Sequence, residues 1–304
     1  MKTYFKLLIL LLLITAWTLN TGIAQHHSGS DKSNHSSMVE IIALDYAFDA
    51  PNEVPSGWTT FRFLNEGEEP HFFVPQIVTG GRSYENVVRE IYPELTEIWY
   101  AYRDGEISFD EASVKIGEHY PEDWGYEYRG GSGILASGLT TEVTLYLEPG
   151  SYVLECYVKT ENGEYHADEG MVRELIVTDE QSTIQPPEPD IEIILRDFEM
   201  TIDGEFTPGR HTVAVHAAEG YGQNVHLARL ESDADAGAVA EWMHWFHIDG
   251  LQVPAPATFV GGMHALQVGA TGYFTVDIEP GRYVFVSGFD FESQHVMKDL
   301  TITP

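Results

Sequence analysis

Cysteine is almost absent: Cys156 is the only one in 304 residues. That excludes an intramolecular disulfide and leaves the thiol four roles: inert and buried, reactive, paired between molecules, or metal-ligating. Basic residues are scarce, 16 Lys and Arg against 48 Asp and Glu, for a net charge of −32. Such a surface repels nucleic acid and anionic membranes. It reads either as adaptation to a salty medium, where charge is screened, or as preparation for a basic partner. No glycine-rich phosphate loop precedes a helix, and neither G-x-S-x-G nor H-E-x-x-H occurs, so the common NTPase and hydrolase chemistries have no residues to act through.

Long apolar runs are missing except at the start. Lys2 and Lys6 precede an apolar stretch from Leu8 to Ile14, with small residues between Thr21 and Gln25. This pattern predicts a secretory signal over residues 1–25 and an exported protein, periplasmic or extracellular. The apolar core is short for a bilayer span of roughly 20 residues, so no stable membrane span is expected after cleavage. Residues 26–37 form a linker rich in His and Ser, with His26, His27 and His35 as a spacer.

What is present is a repeat. GGSGILASGLTTEVTLYLEPGSYVLECYV aligns without gaps on GGMHALQVGATGYFTVDIEPGRYVFVSGF, carrying Gly150 onto Gly281 and Cys156 onto Ser287. Upstream, VEIIALDYAF matches IEIILRDFEM, with Asp45 on Asp197, and His226 in GQNVHLARL falls where His71 lies in EEPHFFVPQ. Short alternating strands and EPG turns predict an all-β chain of two tandem Greek-key β-sandwiches, residues 38–178 and 191–304, with a Pro-rich acidic linker at 179–190. A mostly helical insertion interrupts the first copy at about 79–130. Ser83 caps one helix and Ser108 with Glu111 forms a capping box for another. The aromatic residues of this insertion read as packing, as do Trp242, Trp245 and Phe246 beside His244 and His247.

The chemistry concentrates between Tyr152 and Val177: Cys156, then His166, then Met171, with His71 from an earlier loop. A thiolate, two imidazoles and a weak thioether are the ligand set of a blue-copper electron-transfer site. The alternative for Cys156 is a small buried hydrophobe on a strand. Asn65, Gly67 and His71, together with Cys156-Tyr157, Gly163, His166 and Gly170-Met171, resemble the cupredoxin family, especially exported bacterial cupredoxin-like domains. The resemblance covers both copies apart from the insertion. It implies one copper in the first copy, held by His71, Cys156, His166 and Met171, and single-electron transfer to a redox partner with a basic docking surface. Nine residues separate Cys156 from His166, and the Asn162-Gly163 turn is expected to absorb them as a hairpin.

In the second copy Ser287 replaces the thiol. His226, His295 and Met297 remain as a weaker set, able at most to hold Cu(I). His211, His216 and His264 have no position that sequence can give them. Multicopper-oxidase chemistry needs H-x-H pairs and an H-C-H triplet, which are absent, so an electron carrier is expected rather than a catalyst. Two other readings stay open: a metal-free secreted interaction module and a non-redox copper carrier.

Overall fold

Among the described residues, alternating apolar residues build sixteen strands. The computed structural model describes residues 38–119, 125–197, 199–220, 223–288 and 296–304. The expected signal segment and the His-rich linker lie outside the described residues. The first half runs β1 (Met38–Leu44), β2 (Ala47–Asp49), β3 (Glu53–Asn65), β4 (Val74–Val78), β5 (Tyr126–Tyr128), β6 (Thr140–Leu147), β7 (Gly150–Glu155) and β8 (Val172–Gln181). The second runs β9 (Ile191–Arg196), β10 (Glu199–Asp203), β11 (Gly209–Glu219), β12 (Gln223–Leu230), β13 (Thr258–Leu266), β14 (Thr271–Ile278), β15 (Gly281–Ser287) and β16 (Val296–Ile302).

Each half is a sandwich. Strands β8, β7, β4 and β5 form one layer of the first half, and β13, β12, β15 and β16 one layer of the second. The opposing layer is shared, because β6 pairs with β14 and joins both halves into one sheet. The sandwiches are mixed rather than purely antiparallel: β1 lies parallel to β3, and β9 parallel to β11. The reason is local. The stretch expected as one strand, Val39 to Phe48, folds back at Tyr46 (φ 65°). A second reversal before β3 then sets β3 running with β1.

Pro55–Gly57, whose Pro-Ser-Gly composition reads as a turn, is a corner within one strand. Residues up to Ser56 pair with β8, and from Gly57 (φ 93°) onward the same strand pairs with β6, so β3 passes from one sheet to the other. The expected linker begins later than its composition indicated, since Thr178–Gln181 continue β8.

The join between halves is self-complementary. Val143 faces Phe274, its own counterpart in the repeat. In the other layers Ser132 bridges to its counterpart Met263. Around that bridge Gly133 N–H donates to Gly262 C=O (2.9 Å), and Gly261 N–H donates to Ile134 C=O (3.0 Å). The two copies therefore meet about a pseudo-twofold axis, as two subunits of an isologous dimer would.

The insertion is helical as its caps predict. Asn86 N–H donates to Ser83 Oγ, and Ser108 and Glu111 close a capping box, each backbone N–H donating to the other's side chain. Helical residues Tyr84–Asn86 lead through a π-helical turn, Val87–Ile91, into Tyr92–Arg103, with Phe109–His119 following. Val87, Trp99 and Ile116 pack into a cluster that also takes Val153 of β7 and Phe246 of the second half. Its aromatic residues are packing, and the insertion bridges both halves.

At the join, a Cβ on Gly133 would lie 2.4 Å from the backbone of Gly261 and Gly262. Backbone cannot yield as a side-chain tip can. Gly133→Ala should destabilise the protein by about 1–3 kcal/mol, the usual cost of overpacking, while leaving unfolding a single transition. Urea unfolding followed by tryptophan fluorescence checks this; an unchanged midpoint contradicts the close join.

Candidate metal centre

The first ligand loop is organised by Asn65, wholly buried at the end of β3. Its side-chain amide donates to Glu69 C=O and Leu135 C=O, both at 2.8 Å, and its oxygen accepts from Gly67 N–H at 2.9 Å. His71 is then pinned by a two-way bridge to Leu135. Gly67 is needed for space: a Cβ there would lie 2.3 Å from Asp45 Oδ1 and 2.7 Å from His71 Nε2. The spacing Asn65, Gly67, His71 thus has a mechanical meaning.

Cys156 follows β7, and Met171 precedes β8. Cys156 N–H donates to Met171 C=O (3.1 Å), and Met171 N–H donates to His166 C=O (2.8 Å). The nine intervening residues fold outward as a small hairpin, as Asn162-Gly163 predicts. Lys159 bridges Tyr165, Thr160 N–H donates to Glu164 C=O, and His166 N–H returns to Val158 C=O. Both ligand residues therefore stand at the hairpin's base.

The hairpin tip is held from two sides. Trp99 Nε1 of the insertion donates to Gly163 C=O at 2.9 Å. Lys159 is fully buried, and its ammonium donates to His247 C=O (2.6 Å) and Trp245 C=O (3.2 Å) of the second half. It also lies 4.1 Å from the centre of the Trp99 ring, a cation–π contact. Burial pushes the Lys159 ammonium well down, and Asp249 acts against that. Lys159 carries no sequence signal beyond its place in the hairpin.

The donor atoms converge. His71 Nδ1 and His166 Nδ1 are 3.1 Å apart, and Cys156 Sγ lies 3.9 and 3.7 Å from them. All three residues are wholly buried. A point equidistant from atoms so spaced is about 2.1 Å from each, inside the range of metal–imidazole and metal–thiolate bonds. Among the described residues no other group of three or more His, Cys, Asp or Glu converges in this way.

Behind each ring stands a carboxylate. His71 Nε2 is 3.0 Å from Asp45 Oδ1, and His166 Nε2 is 2.8 Å from Glu69 Oε2, the latter off the line of a good hydrogen bond. Tyr46 covers His166 edge-on, with ring centres 5.2 Å apart. Burial would raise Asp45, but hydrogen bonds from Glu68 N–H, the His71 ring and Glu69 N–H outweigh it and hold the carboxyl below its ordinary value. Burial and the Asp45 charge push Glu69 up. Burial lowers His71 and takes His166 down to about 3, so both rings are neutral and able to ligate near pH 7. Burial pushes the Cys156 thiol up to about 12, although N–H groups of Phe72 and Val158 point at the sulfur. A thiolate here needs a cation beside it, and metal binding releases its proton. The residues fit a single copper ion: soft thiolate, neutral imidazoles and a dry pocket. Asp45 had a faint sequence signal in its match to Asp197; Glu69 had none.

Strand register corrects the second-half set. Val74 pairs with Glu155, and His226 pairs with Val286, the counterpart of Glu155. His226 therefore matches Val74, and Gln223 stands where His71 does, bridging Leu266 as His71 bridges Leu135. Likewise Ser287 pairs with Val296, so Val296 and not Met297 answers Met171. A one-residue offset turns a side chain to the opposite face, and Met297 is accordingly 44% exposed. His295 lies outside the described residues.

The buried His226 is occupied by hydrogen bonds. Ile134 N–H donates to its Nδ1 (3.1 Å), its Nε2–H then faces His264 Nδ1 (3.2 Å), and His264 Nε2 meets Tyr157 Oη (2.5 Å). His211 is paired with Asp190, and His216 with the Thr271 hydroxyl. His244 and His247 lie beyond the helix Ala236–Trp242, not on its face, with ring centres 6.3 Å apart.

No family model and no curated protein matches the chain. Similar solved structures include reduced auracyanin from the photosynthetic bacterium Roseiflexus castenholzii, 21% identical, covering 47% of this chain and 98% of that one at a TM-score of 0.28. Auracyanin A, a blue copper protein from Chloroflexus aurantiacus, is 20% identical over 46% of this chain and 98% of its own, TM-score 0.27. A multicopper oxidase is 13% identical over 88% of each chain, TM-score 0.24. The chain itself presents two joined β-sandwiches, the first bearing two imidazoles and a thiol, converged and buried, at the strand ends.

His166 and His226 both sit near pKa 3 when folded, lowered by burial, against about 6.5 unfolded. Between those values the unfolded chain binds protons that the folded one does not. Stability therefore falls as pH drops below about 6.5, by about 1.4 kcal/mol per pH unit for each histidine. Urea midpoints of the chelator-treated protein should decline from pH 7 to pH 5; a flat profile contradicts neutral burial.

Proposed function

We propose that this protein is an exported single-electron carrier with one copper in its first half, held by His71, Cys156 and His166. The observation that carries this is the convergence of the two Nδ1 atoms and Sγ, 3.1 to 3.9 Å apart in a buried pocket. Met171 would hold the ion as a further, weak thioether donor. It is wholly buried, and its backbone is hydrogen-bonded to both Cys156 and His166.

Copper, when bound, supplies a one-electron couple. The protein's own residues hold the donors in place, so little has to move as charge changes. Asn65 fixes the His71 loop, β7 and β8 clamp Cys156, and the braced hairpin sets His166. Tyr46 excludes water from His166 and forms the aromatic contact between that ring and the surface. Carboxylates gather about this edge: Asp45, Glu69 and Glu169 act on Tyr46, and Glu68 and Glu161 on Glu69. Such a rim favours a redox partner with a basic docking surface. The leader-like start supports export, and among the described residues no helix is long and apolar enough to cross a membrane. The reading is of a carrier rather than a catalyst. Nucleic acid is no part of it, given the charge of −32.

Purified protein loaded with Cu(II) should retain one copper and show an intense visible thiolate-to-copper band. Cys156→Ser should abolish the band. A missing band, or one that survives the substitution, ends the electron-transfer reading. Copper retained without reversible electrochemistry would make the protein a carrier of copper instead.

A further inference from the structure

We propose that Asp45 and Glu69 set the redox preference of the centre, biasing it toward the oxidised ion. This rests on the copper reading and extends it to two residues that would not touch the metal. Their geometry is specific. Each ligand ring has one nitrogen turned inward, and each outward Nε2 meets a different carboxylate, at 3.0 Å for Asp45 and 2.8 Å for Glu69. The Asp45 carboxylate is not free to wander. Asp45 accepts from Glu68 N–H (3.0 Å) and Glu69 N–H (3.3 Å), and Gly67 keeps the space that Asp45 and His71 share.

Two consequences follow from ordinary chemistry. The Nε2–H bonded to Asp45 fixes the tautomer of His71, so its Nδ1 lone pair points at the common centre, while Glu69 sets its charge against His166 Nε2 without a hydrogen bond. The two Nδ1 atoms, 3.1 Å apart, share one N–H···N hydrogen bond in the metal-free protein, and both turn lone pairs inward only around a cation. A carboxylate behind an imidazole also raises its basicity and so strengthens its bond to the harder, more highly charged ion. Charge count agrees. With the Cys156 thiolate and both carboxylates, the cluster carries −1 around Cu(II) and −2 around Cu(I). Side-chain exposures of 32% for Asp45 and 22% for Glu69 leave these charges only partly screened.

The second half offers an internal comparison for geometry without imidazole. Asp197 and Gln223 both crowd Gly220, where a Cβ would lie 2.9 and 2.5 Å from their side-chain tips. A carboxylate beside this loop is thus compatible with the fold when no ligand ring is present. The redox role belongs to the pairing of carboxylate with imidazole, and so a folding test alone does not address it.

The test uses the full protein with Asp45→Asn, Glu69→Gln, the double variant, and Glu169→Gln as a control. Glu169 also acts on Tyr46 but faces neither ligand ring. Asn and Gln keep one oxygen acceptor for Nε2–H while removing the charge and turning the other oxygen into an NH2 donor. Each single variant should lose Cu(II) affinity 10- to 100-fold in chelator competition, with Cu(I) affinity changed less. The potential should then rise by about 59 mV for every tenfold change in that ratio. The double variant should shift further, and Glu169→Gln much less than either. In the metal-free wild type, ¹⁵N NMR should place the ring proton of His71 on Nε2, and alanine at Asp45 should redistribute it.

If the wild type shows the thiolate band but the Asp45 and Glu69 variants keep its potential, or shift no more than Glu169→Gln, the redox role of the carboxylates is wrong and the copper site stands. If the wild type shows no band, the copper reading itself falls and takes this proposal with it.

Discussion

Two imidazole nitrogens held 3.1 Å apart, with a thiol within 3.9 Å of both, are a costly thing to build in a dry pocket. Without a cation, two neutral rings at that distance share a single N–H···N hydrogen bond. A thiol pushed to about 12 by burial cannot supply charge by itself. The arrangement makes physical sense around a cation, and the surrounding structure is spent on keeping it in place. Asn65 ties down the loop before His71, the β7–β8 ladder sets Cys156 beside Met171, and outward carboxylates orient the rings.

Among its described residues the second half shows no converged donor set. Its contribution is mechanical: carbonyls of Trp245 and His247 receive the Lys159 ammonium, and the Leu251–Val253 segment pairs with the Lys159 backbone. The helical insertion braces the same hairpin through Trp99. A long excursion between Cys156 and His166 would leave the second imidazole loosely placed in an isolated domain. Here the excursion is gripped from both sides. The pseudo-twofold join is what brings those carbonyls within reach, so the duplicated half stabilises the site from a distance.

Much of this was legible in the chain. The repeat, the EPG turns, the caps at Ser83 and Ser108, and the hairpin at Asn162-Gly163 are local signals, and the structure honours them. The donor trio could be named because ligand chemistry restricts residue type. Where the reading slipped, the cause was register. His226 looked like the partner of His71 because both follow a turn, yet the β12–β15 pairing puts Gln223 in that place. Met297 missed the place of Met171 by one residue, which on a strand means the opposite face.

The sequence by itself determined composition-level and local facts: an acidic, all-β, duplicated chain with one thiol and a short list of soft ligands. Local hydrogen bonding and periodicity are written in neighbouring residues, so they can be read there. Tertiary structure alone decided that His71, Cys156 and His166 meet, that Asp45 and Glu69 stand behind the rings, that Lys159 is clasped by the other half, and that both halves share a sheet. Those contacts join residues far apart in the chain, 95 positions for His71 and His166 and 88 for Lys159 and His247. They depend on strand register and on the packing of whole layers, which no single stretch of sequence encodes.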